Sequence, residues 1–193
     1  MIRLAVVGDI GSGKSYVAKQ FGYPVFNADV EVSKIYKKDK KCYKKLKKYL
    51  PDYITTFPVK KNELKKAIAS RRDNLKKIAK IVHPIVRQKM KIFVKKNKNM
   101  KFVILDIPLL LENKINKKKD ILIFVDAEKK EINKRFNKKH IINYKFLRKF
   151  QLPVEFKKKK SDFIIKNNFR NNSIRKNVKN ILGKILLNAR SNT

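Results

Sequence analysis

Residues 2–15 read IRLAVVGDIGSGKS, a short apolar run that passes directly into a glycine-rich segment. The run IRLAVV (2–7) has the length and the continuous apolarity of a strand buried on both faces of a parallel sheet. The segment from Gly8 to Ser15 fits the pattern G-x-x-x-x-G-K-[ST] in full. An amphipathic stretch follows and ends near Phe21, so the motif has the strand before it and the helix after it that a phosphate-binding loop requires.

The chemistry of this glycine-rich segment is that of a polyphosphate site. Its glycines let the backbone turn so that successive N–H groups face an anion at the positive end of the following helix. Three of the five glycines of the chain lie here, in a sequence otherwise poor in glycine. Lys14 is expected to reach the β- and γ-phosphates of a nucleotide, and the Ser15 hydroxyl is expected to coordinate Mg²⁺. We therefore predict nucleotide binding.

The rest of the chain alternates short apolar runs with amphipathic stretches. Besides 2–7, strands are predicted at 24–26, 102–105, 121–125 and 163–165. Helices are predicted at 14–21, 30–50, 62–70, 72–97, 128–139, 144–151 and 171–189, with a break or a helix start at Pro84. This alternation predicts βαβ units and a parallel sheet covered on both faces. The region 30–97 carries helices only, so we expect a helical insertion beside the sheet.

The large excess of basic residues is compatible with nucleic-acid binding, but the kind of basic residue gives that interpretation little support. The formal net charge is +37, but only nine of the 52 basic residues are arginine. Groove reading and bidentate phosphate recognition favour arginine. The lysine runs at 37–48, 117–119 and 157–160 are expected to be solvated faces or loops. We expect no specific nucleic-acid partner and favour a monomer.

Several classes of protein are excluded or disfavoured by composition. One cysteine, Cys42, excludes an intramolecular disulfide and a multi-cysteine zinc site. No apolar stretch reaches the roughly 18 residues that span a bilayer, and the N-terminus does not resemble a signal peptide. We expect a cytoplasmic protein with no membrane partner. A switch GTPase would need an N-K-x-D segment after a later strand, whereas Asn116-Lys117 precedes a strand and lacks the aspartate.

Two aspartates stand at the predicted carboxyl ends of strands, where ligands bind in open parallel sheets. Asp29 closes the triplet NAD (27–29), and Asp106 ends the strand at 102–105. Asp29 could accept the proton of a hydroxyl that attacks a γ-phosphate, and Asp106 could hold Mg²⁺ through water. Alternatively, Asp29 could cap the following helix, and Asp106 could be a hydrogen-bonding strand end. A short phosphate-loop protein with a helical insertion suggests a kinase of small metabolites or nucleotides.

Five features together resemble one kinase family. They are GDIGSGKS (8–15), NAD (27–29), His83-Pro84, DIPLLLE (106–112), and a distal set of Arg135, Arg148-x-x-Gln151 and SDFIIKN (161–167). The order of these features is that of the dephospho-CoA kinase family, which the chain resembles over about residues 2–170. The phosphate loop is shared by many families, but D-x-P-L-L-x-E with a downstream A/S-D-x-x-I-x-N is close to diagnostic.

The resemblance implies a fold, a reaction and a set of site residues. The fold would be a three-layer α/β P-loop NTPase fold with a five-stranded parallel sheet. The chain would be one domain with its core at 1–29 and 100–193, a helical acceptor-binding insertion at about 30–97 and a lid at about 128–150. The reaction would transfer the γ-phosphoryl group of ATP, with Mg²⁺, to the ribose 3′-hydroxyl of dephospho-CoA, the last step of coenzyme A synthesis.

Each site residue receives a role from the same resemblance. The ATP-binding set would be Gly8, Gly11, Ser12, Gly13, Lys14, Ser15 and Tyr16. The catalytic set would be Lys14, Asp29 as base on the 3′-hydroxyl, and the lid arginine Arg135. The dephospho-CoA-binding set would be Asp29, His83, Pro108, Leu109 and Leu110, within a pocket lining that continues to Glu112. Ser15 and, through water, Asp106 would hold Mg²⁺.

Two positions depart from the family pattern, and two other functions stay open. The family triplet is usually D-A-D, whereas position 27 is Asn, and Lys139 occupies a place where the lid often carries a second arginine. Asn27 would weaken only a supporting contact, and Lys139 keeps the charge without the bidentate fork. The alternatives are a kinase of another small acceptor, such as a nucleoside monophosphate, and a basic P-loop protein that binds nucleic acid.

Overall fold

The computed structural model describes residues 1–135 and 148–191 of the chain. It divides into two compact units, one made of Met1–Asn27 with Asn97–Thr193 and the other of Ala28–Lys96. Each unit has its own apolar core. Residues 136–147 lie outside the described residues, and with them about half of the lid predicted at 128–150, including Lys139, and half of the helix predicted at 144–151. The domain and lid assignments stay predictions.

The first unit is built on a parallel sheet. Its strands are β1 (Ile2–Gly8), β2 (Val25–Asn27), β3 (Phe102–Asp106), β4 (Ile121–Asp126) and β5 (Phe163–Lys166). Their order is β2-β3-β1-β4-β5, and every neighbouring pair is parallel. The predicted five-stranded parallel sheet is confirmed. Val6 and Asn27 both pair with Asp106 in register, so the carboxyl ends of β1, β2 and β3 lie side by side.

Eight helices are present within the described residues. They are α1 (Lys14–Gln20), α2 (Ala28–Lys38), α3 (Lys40–Tyr49), α4 (Lys61–Ser70), α5 (Arg72–Lys96), α6 (Lys129–Lys134), α7 (Val154–Lys159) and α8 (Asn171–Ser191). None of these helices combines the length and the apolarity needed to cross a membrane.

The core of the first unit forms where α1 and α8 cover the sheet. Apolar residues recur on α8 at positions 174, 178, 181 and 185, which is the spacing of one helix face. They pack with Val17 of α1 and with buried strand residues such as Leu4 and Phe102. Strands β1 and β3 are buried almost throughout, which explains their continuous apolar sequences. This packing holds the start of α1, and therefore the glycine-rich loop before it, against the sheet.

The second unit consists of α2 to α5, with α5 packed against the other three helices. The single helix predicted at 30–50 is wrong, because the chain is interrupted at Asp39. Its carboxylate accepts a hydrogen bond from the backbone N–H of Cys42 at 2.8 Å and caps α3. The break predicted at Pro84 is also wrong. Proline removes one helical hydrogen bond, but α5 stays continuous, with Ile78 and Val82 buried in the core of this unit.

Glu63 ties the start of α4 to the loop before it. One carboxylate oxygen accepts hydrogen bonds from the backbone N–H groups of Thr55 and Thr56, both at 3.1 Å, and the other from the N–H of Lys60 at 3.0 Å. Burial raises the pKa of Glu63, but these hydrogen bonds outweigh it and lower the pKa to about 2. The charged form of Glu63 therefore stabilises the folded chain.

We expect Glu63→Gln to destabilise the protein by about 1 kcal/mol at pH 7, the usual worth of a helix cap. A lowered carboxyl pKa gives stability that is present above the ordinary value of 4.5 and is lost as the pH falls towards 2. The gap in thermal midpoint between wild type and variant should therefore shrink from pH 6 to pH 3.

The matched control for this measurement is Asp73→Asn, at an exposed carboxylate in the first turn of α5. Its ion pair with Lys76, at 3.4 Å, is solvated on both sides and should contribute little. The control should change the midpoint only slightly at any pH. A gap for Glu63→Gln that is constant across this pH range would contradict the assigned ionisation.

Candidate active site

The glycine-rich loop leaves the carboxyl end of β1 and enters α1 at Lys14. Its shape depends on glycine at two positions. Gly8 has a φ of 151°, and a Cβ there would lie 2.8 Å from the backbone oxygen of Val125 on β4. Gly13, the N-cap of α1, has a φ of 86° in the left-handed region. A side chain at either position would therefore displace the groups packed against the loop.

Asn167 holds this loop from the end of β5. Its buried amide nitrogen donates to the backbone oxygen of Ser12 at 2.7 Å, and its amide oxygen accepts from the N–H of Phe169 at 2.8 Å. A Cβ on Gly13 would collide with the same amide nitrogen. The sequence places Asn167 at the end of the motif SDFIIKN (161–167) but does not indicate what this side chain does. In the structure it fixes the backbone of the phosphate loop.

Lys14 is buried at the first position of α1. Its ammonium donates to the backbone oxygen of Asp9 at 2.6 Å and lies 3.4 Å from that of Gly8. The next two residues are exposed, and the Tyr16 hydroxyl donates to the side chain of Asn171 at 2.7 Å. Ser12, in contrast, is fully buried, and its hydroxyl has no hydrogen-bond partner within the described residues. The loop thus presents one cation and two exposed side chains at a helix N-terminus.

Asp106 lies at the end of β3, nearly fully buried, beside the end of β2. Its carboxylate accepts a hydrogen bond from the side-chain amide of Asn27. An aspartate at position 27 would instead place a second carboxylate against Asp106, and like charges at this separation raise the pKa of one of them. Asp29 follows two residues later, exposed in the first turn of α2.

The oxygen donors of the first unit suit Mg²⁺ better than a metal held by protein alone. No group of three or more His, Cys, Asp or Glu side chains within residues 1–135 and 148–191 could hold a metal ion. Mg²⁺ usually keeps several waters and binds through one or two carboxylates together with substrate phosphates. The Ser15 hydroxyl and the Asp106 carboxylate fit that donor set.

Arg135 directly follows α6 and stacks on an aromatic ring. Its guanidinium lies 4.5 Å from the ring centre of Phe169, the residue whose N–H is bound by Asn167. The arginine is exposed, so the contact is a solvated cation–π interaction. Arg135 and Asn167, whose hydrogen bond to the Ser12 carbonyl we call the loop clamp, therefore both contact Phe169 in the short segment after β5.

The segment after β3 is only partly accessible. Pro108 and Leu109 are half-buried, but Leu110 is 1% exposed. The Leu110 side chain packs inside the protein in this conformation, and its predicted contact with substrate stays a prediction. Glu112 accepts a hydrogen bond from the N–H of Leu152 at 3.1 Å. This bond connects the segment after β3 to the chain that follows residue 148, and the predicted place of Glu112 in the pocket lining stays a prediction.

Lys157 is the residue that sequence reasoning missed. The run 157–160 was expected to be solvated, yet Lys157 is 1% exposed, whereas Phe156 is 44% exposed. The Lys157 ammonium donates to the backbone oxygen of Gly8 at 3.2 Å and to the side chain of Gln151 at 3.0 Å. Hydropathy gives no indication of this arrangement, since it predicts that Phe156 is buried and that Lys157 is exposed.

His83 belongs to the helical unit, on α5. Its side chain is half-buried. Burial lowers the pKa of His83 below its usual value, and the charge of Arg87 lowers it further. The imidazole is therefore neutral at pH 7, and it can offer one donor and one acceptor to a ligand.

A comparison with known protein families agrees with these features. The family model described as CoaE, dephospho-CoA kinase, matches residues 2–173. This chain belongs to the dephospho-CoA kinase family. The dephospho-CoA kinase of Wolbachia pipientis wMel is 33% identical to it over 192 residues, which cover 96% of this chain and 98% of that relative. The predicted family is confirmed.

Solved structures confirm the fold. TT1252 from Thermus thermophilus superposes with a TM-score of 0.75 at 24% identity, over 95% of this chain and 97% of that one. Dephospho-CoA kinase from Campylobacter jejuni superposes with a TM-score of 0.63 at 22% identity, over 96% and 98%. Both share the α/β arrangement of this family member.

We expect Gly13→Ala to weaken ATP binding by tenfold or more, roughly the loss of one buried hydrogen bond to the loop. The added methyl group would displace the Asn167 amide that fixes the Ser12 carbonyl. Titration of the folded variant with ATP and Mg²⁺ measures the loss.

Gly22→Ala is the matched control, because Gly22 also has a left-handed φ, of 72°, but a Cβ there would meet nothing within 4 Å. Both variants carry the backbone strain, of about 1–2 kcal/mol, and only Gly13→Ala disturbs the clamp. Equal ATP affinity in the two variants would show that the Asn167 contact is not needed for binding.

Proposed function

We propose that this chain transfers the γ-phosphoryl group of ATP to the ribose 3′-hydroxyl of dephospho-CoA, giving coenzyme A and ADP. The observation that carries the proposal is the phosphate loop, in which Lys14 and the N-terminus of α1 lie at the carboxyl end of the sheet. Membership of the dephospho-CoA kinase family supplies the acceptor. This reaction is the last step of coenzyme A synthesis, and we expect it in the cytoplasm.

Charge neutralisation would come from the first unit. Phosphoryl transfer requires little covalent chemistry from a protein, so catalysis depends on positioning and on balancing the charge of the transferred group. Lys14 would bind the β- and γ-phosphates together with the backbone N–H groups of residues 11–16. Arg135 would bind the transferring phosphoryl group. It lies directly after α6 and is exposed, so a bound nucleotide could reach it.

Mg²⁺ would be held by Ser15 and, through water, by Asp106. The ion supplies charge neutralisation on the phosphates when it is bound. The role of the chain is to present one hydroxyl and one carboxylate. The amide of Asn27 donates to that carboxylate and so keeps its orientation.

Asp29 would be the general base. Along the chain it is two residues past Asn27, which ends β2, and ligands bind beyond the carboxyl ends of such strands. Its exposure in the first turn of α2 leaves the carboxylate able to meet a hydroxyl. His83, Pro108 and Leu109 would contribute to dephospho-CoA binding, and a lid at about 128–150 would exclude water from the reaction.

The first test is an ADP-release assay across dephospho-CoA, AMP, CMP and uridine monophosphate. Of these four acceptors, we expect only dephospho-CoA to support turnover. In Lys14→Ala the turnover rate should fall by about 10²-fold or more, the usual effect of removing one group that stabilises transition-state charge. Lys19→Ala, at an exposed basic residue of α1, is the matched control and should keep its activity.

Other results of that assay would decide between the remaining functions. Faster turnover with a nucleoside monophosphate would identify a kinase of another acceptor. Absence of phosphotransfer with tight nucleic-acid binding at physiological salt would favour a nucleic-acid-binding protein. The high net charge by itself predicts only weak binding to DNA that falls steeply with salt.

The second test separates Asp29 from Asn27. Asp29→Asn keeps the shape and the hydrogen bonding but removes the basicity, so turnover should fall by roughly 10²–10⁴. Asn27→Asp restores the common family residue. Because Asn27 cannot take a proton, this change should alter turnover by less than about tenfold, well below the share of a general base.

Single-turnover phosphotransfer at saturating ATP and dephospho-CoA measures both variants. ATP affinity should barely change in Asp29→Asn, since other residues hold the phosphates. A mild effect at Asp29 beside a severe one at Asn27 would mean that the base is assigned to the wrong residue.

A further inference from the structure

The backbone carbonyl of Gly8 accepts from two different lysines. The ammonium of Lys157, on α7, lies 3.2 Å from this oxygen, and the ammonium of Lys14, on α1, lies 3.4 Å from it. Both contacts are buried. Gly8 is the last residue of β1 and the first of the phosphate loop, so the two cations meet where the loop leaves the sheet.

The surroundings of Lys157 hold its ammonium in place. It donates to the side-chain oxygen of Gln151 at 3.0 Å and forms an ion pair with Glu112 at 3.4 Å. Both side chains of this ion pair are almost completely buried. A buried ammonium with three oxygen partners has all its donors used, so Lys157 is a fixed group that no ligand reaches directly.

Lys14 differs because its proposed function requires it to move. Its ammonium also donates to the backbone oxygen of Asp9, at 2.6 Å. An ammonium that binds the β- and γ-phosphates must exchange contacts with the loop carbonyls for contacts with the nucleotide. Without a second lysine, the buried Gly8 carbonyl would then lose its charged donor, which weakens binding.

We infer that Lys157 is a positioning residue for nucleotide binding, which keeps the Gly8 carbonyl hydrogen bonded when Lys14 moves to the phosphates. The inference deepens the proposed function, since it rests on the binding of ATP by this loop. Lys157 also connects the loop to Gln151, which follows the predicted lid, and to Glu112, which lies in the segment after β3.

A double-mutant cycle on ATP affinity tests this role in the full-length chain. Lys157→Met should weaken the binding of ATP with Mg²⁺ by about tenfold, as expected for one buried acceptor left without a donor. In the Lys14→Ala background the same change should alter affinity by less than about twofold, because no lysine then leaves the Gly8 carbonyl on binding.

Lys159→Met is the matched control. It makes the same lysine-to-methionine change, with the same loss of charge, at an exposed position of the same helix. ATP affinity should stay within about twofold of the starting value in both backgrounds, as surface lysines contribute little. Thermal midpoints of all variants separate lost affinity from lost folding. A lower midpoint for Lys157→Met is expected, since it leaves the Glu112 carboxylate buried without its cation.

Each other outcome overturns the inference. Unchanged ATP affinity in folded Lys157→Met would show that the lysine is structural only. An equal loss in both backgrounds would show that Lys157 acts on phosphate independently of Lys14. If Lys157→Met does not fold, the cycle is repeated with Glu112→Gln in every variant, which removes the unpaired charge. Failure to fold there too would assign Lys157 to folding alone.

The cycle does not depend on the acceptor, so its failure is distinguishable from failure of the proposed function. A wild-type chain that binds ATP but does not phosphorylate dephospho-CoA would refute the proposed reaction. The same chain would still allow the coupling between Lys14 and Lys157 to be measured. Conversely, normal phosphorylation with no coupling would refute only the role of Lys157.

Discussion

The hydrogen bond from the Asn167 amide to the Ser12 carbonyl, at 2.7 Å, is the contact on which the phosphate loop depends. The loop has few apolar atoms of its own, so it is held in place mainly by hydrogen bonds and by the packing of the elements at its two ends. Asn167 joins it to the end of β5, and the buried face of α1 joins it to the sheet core. Since the amide also stands where a Cβ of Gly13 would lie, the clamp and the glycine require each other.

Buried charged and amide side chains of the first unit are held by polar partners, whereas the buried Ser12 hydroxyl has none within the described residues. Arg3 pairs with Asp120 at 2.8 Å, Asn27 with Asp106, and Lys157 with Glu112 at 3.4 Å. A buried charge or amide is costly without such a partner. In a chain with a net charge of +37, these pairings let a few charged groups sit inside the fold while most lysines remain in water.

The predictable part of the structure follows from local patterns. The central strands could be predicted because a strand buried on both faces needs a continuous apolar run, as in residues 2–7 and 102–105. The boundaries were less predictable. Asp39 separates α2 from α3 by a side-chain cap, and α5 runs through Pro84 because the apolar contacts of the helical unit outweigh one missing hydrogen bond. Such choices depend on packing between helices that are distant in sequence.

By itself the sequence determined the family, the phosphate loop and the class of sheet, because those depend on residue types at short, regular spacing. Only the tertiary structure decided that a lysine outside the phosphate loop, Lys157, is buried. Neither hydropathy nor spacing distinguishes Lys157 from its neighbours, and its burial beside an exposed Phe156 arises from oxygens contributed by residues 8, 112 and 151. A buried cation requires anionic or carbonyl partners within a few ångströms, and partners so far apart along the chain meet only once the sheet has formed.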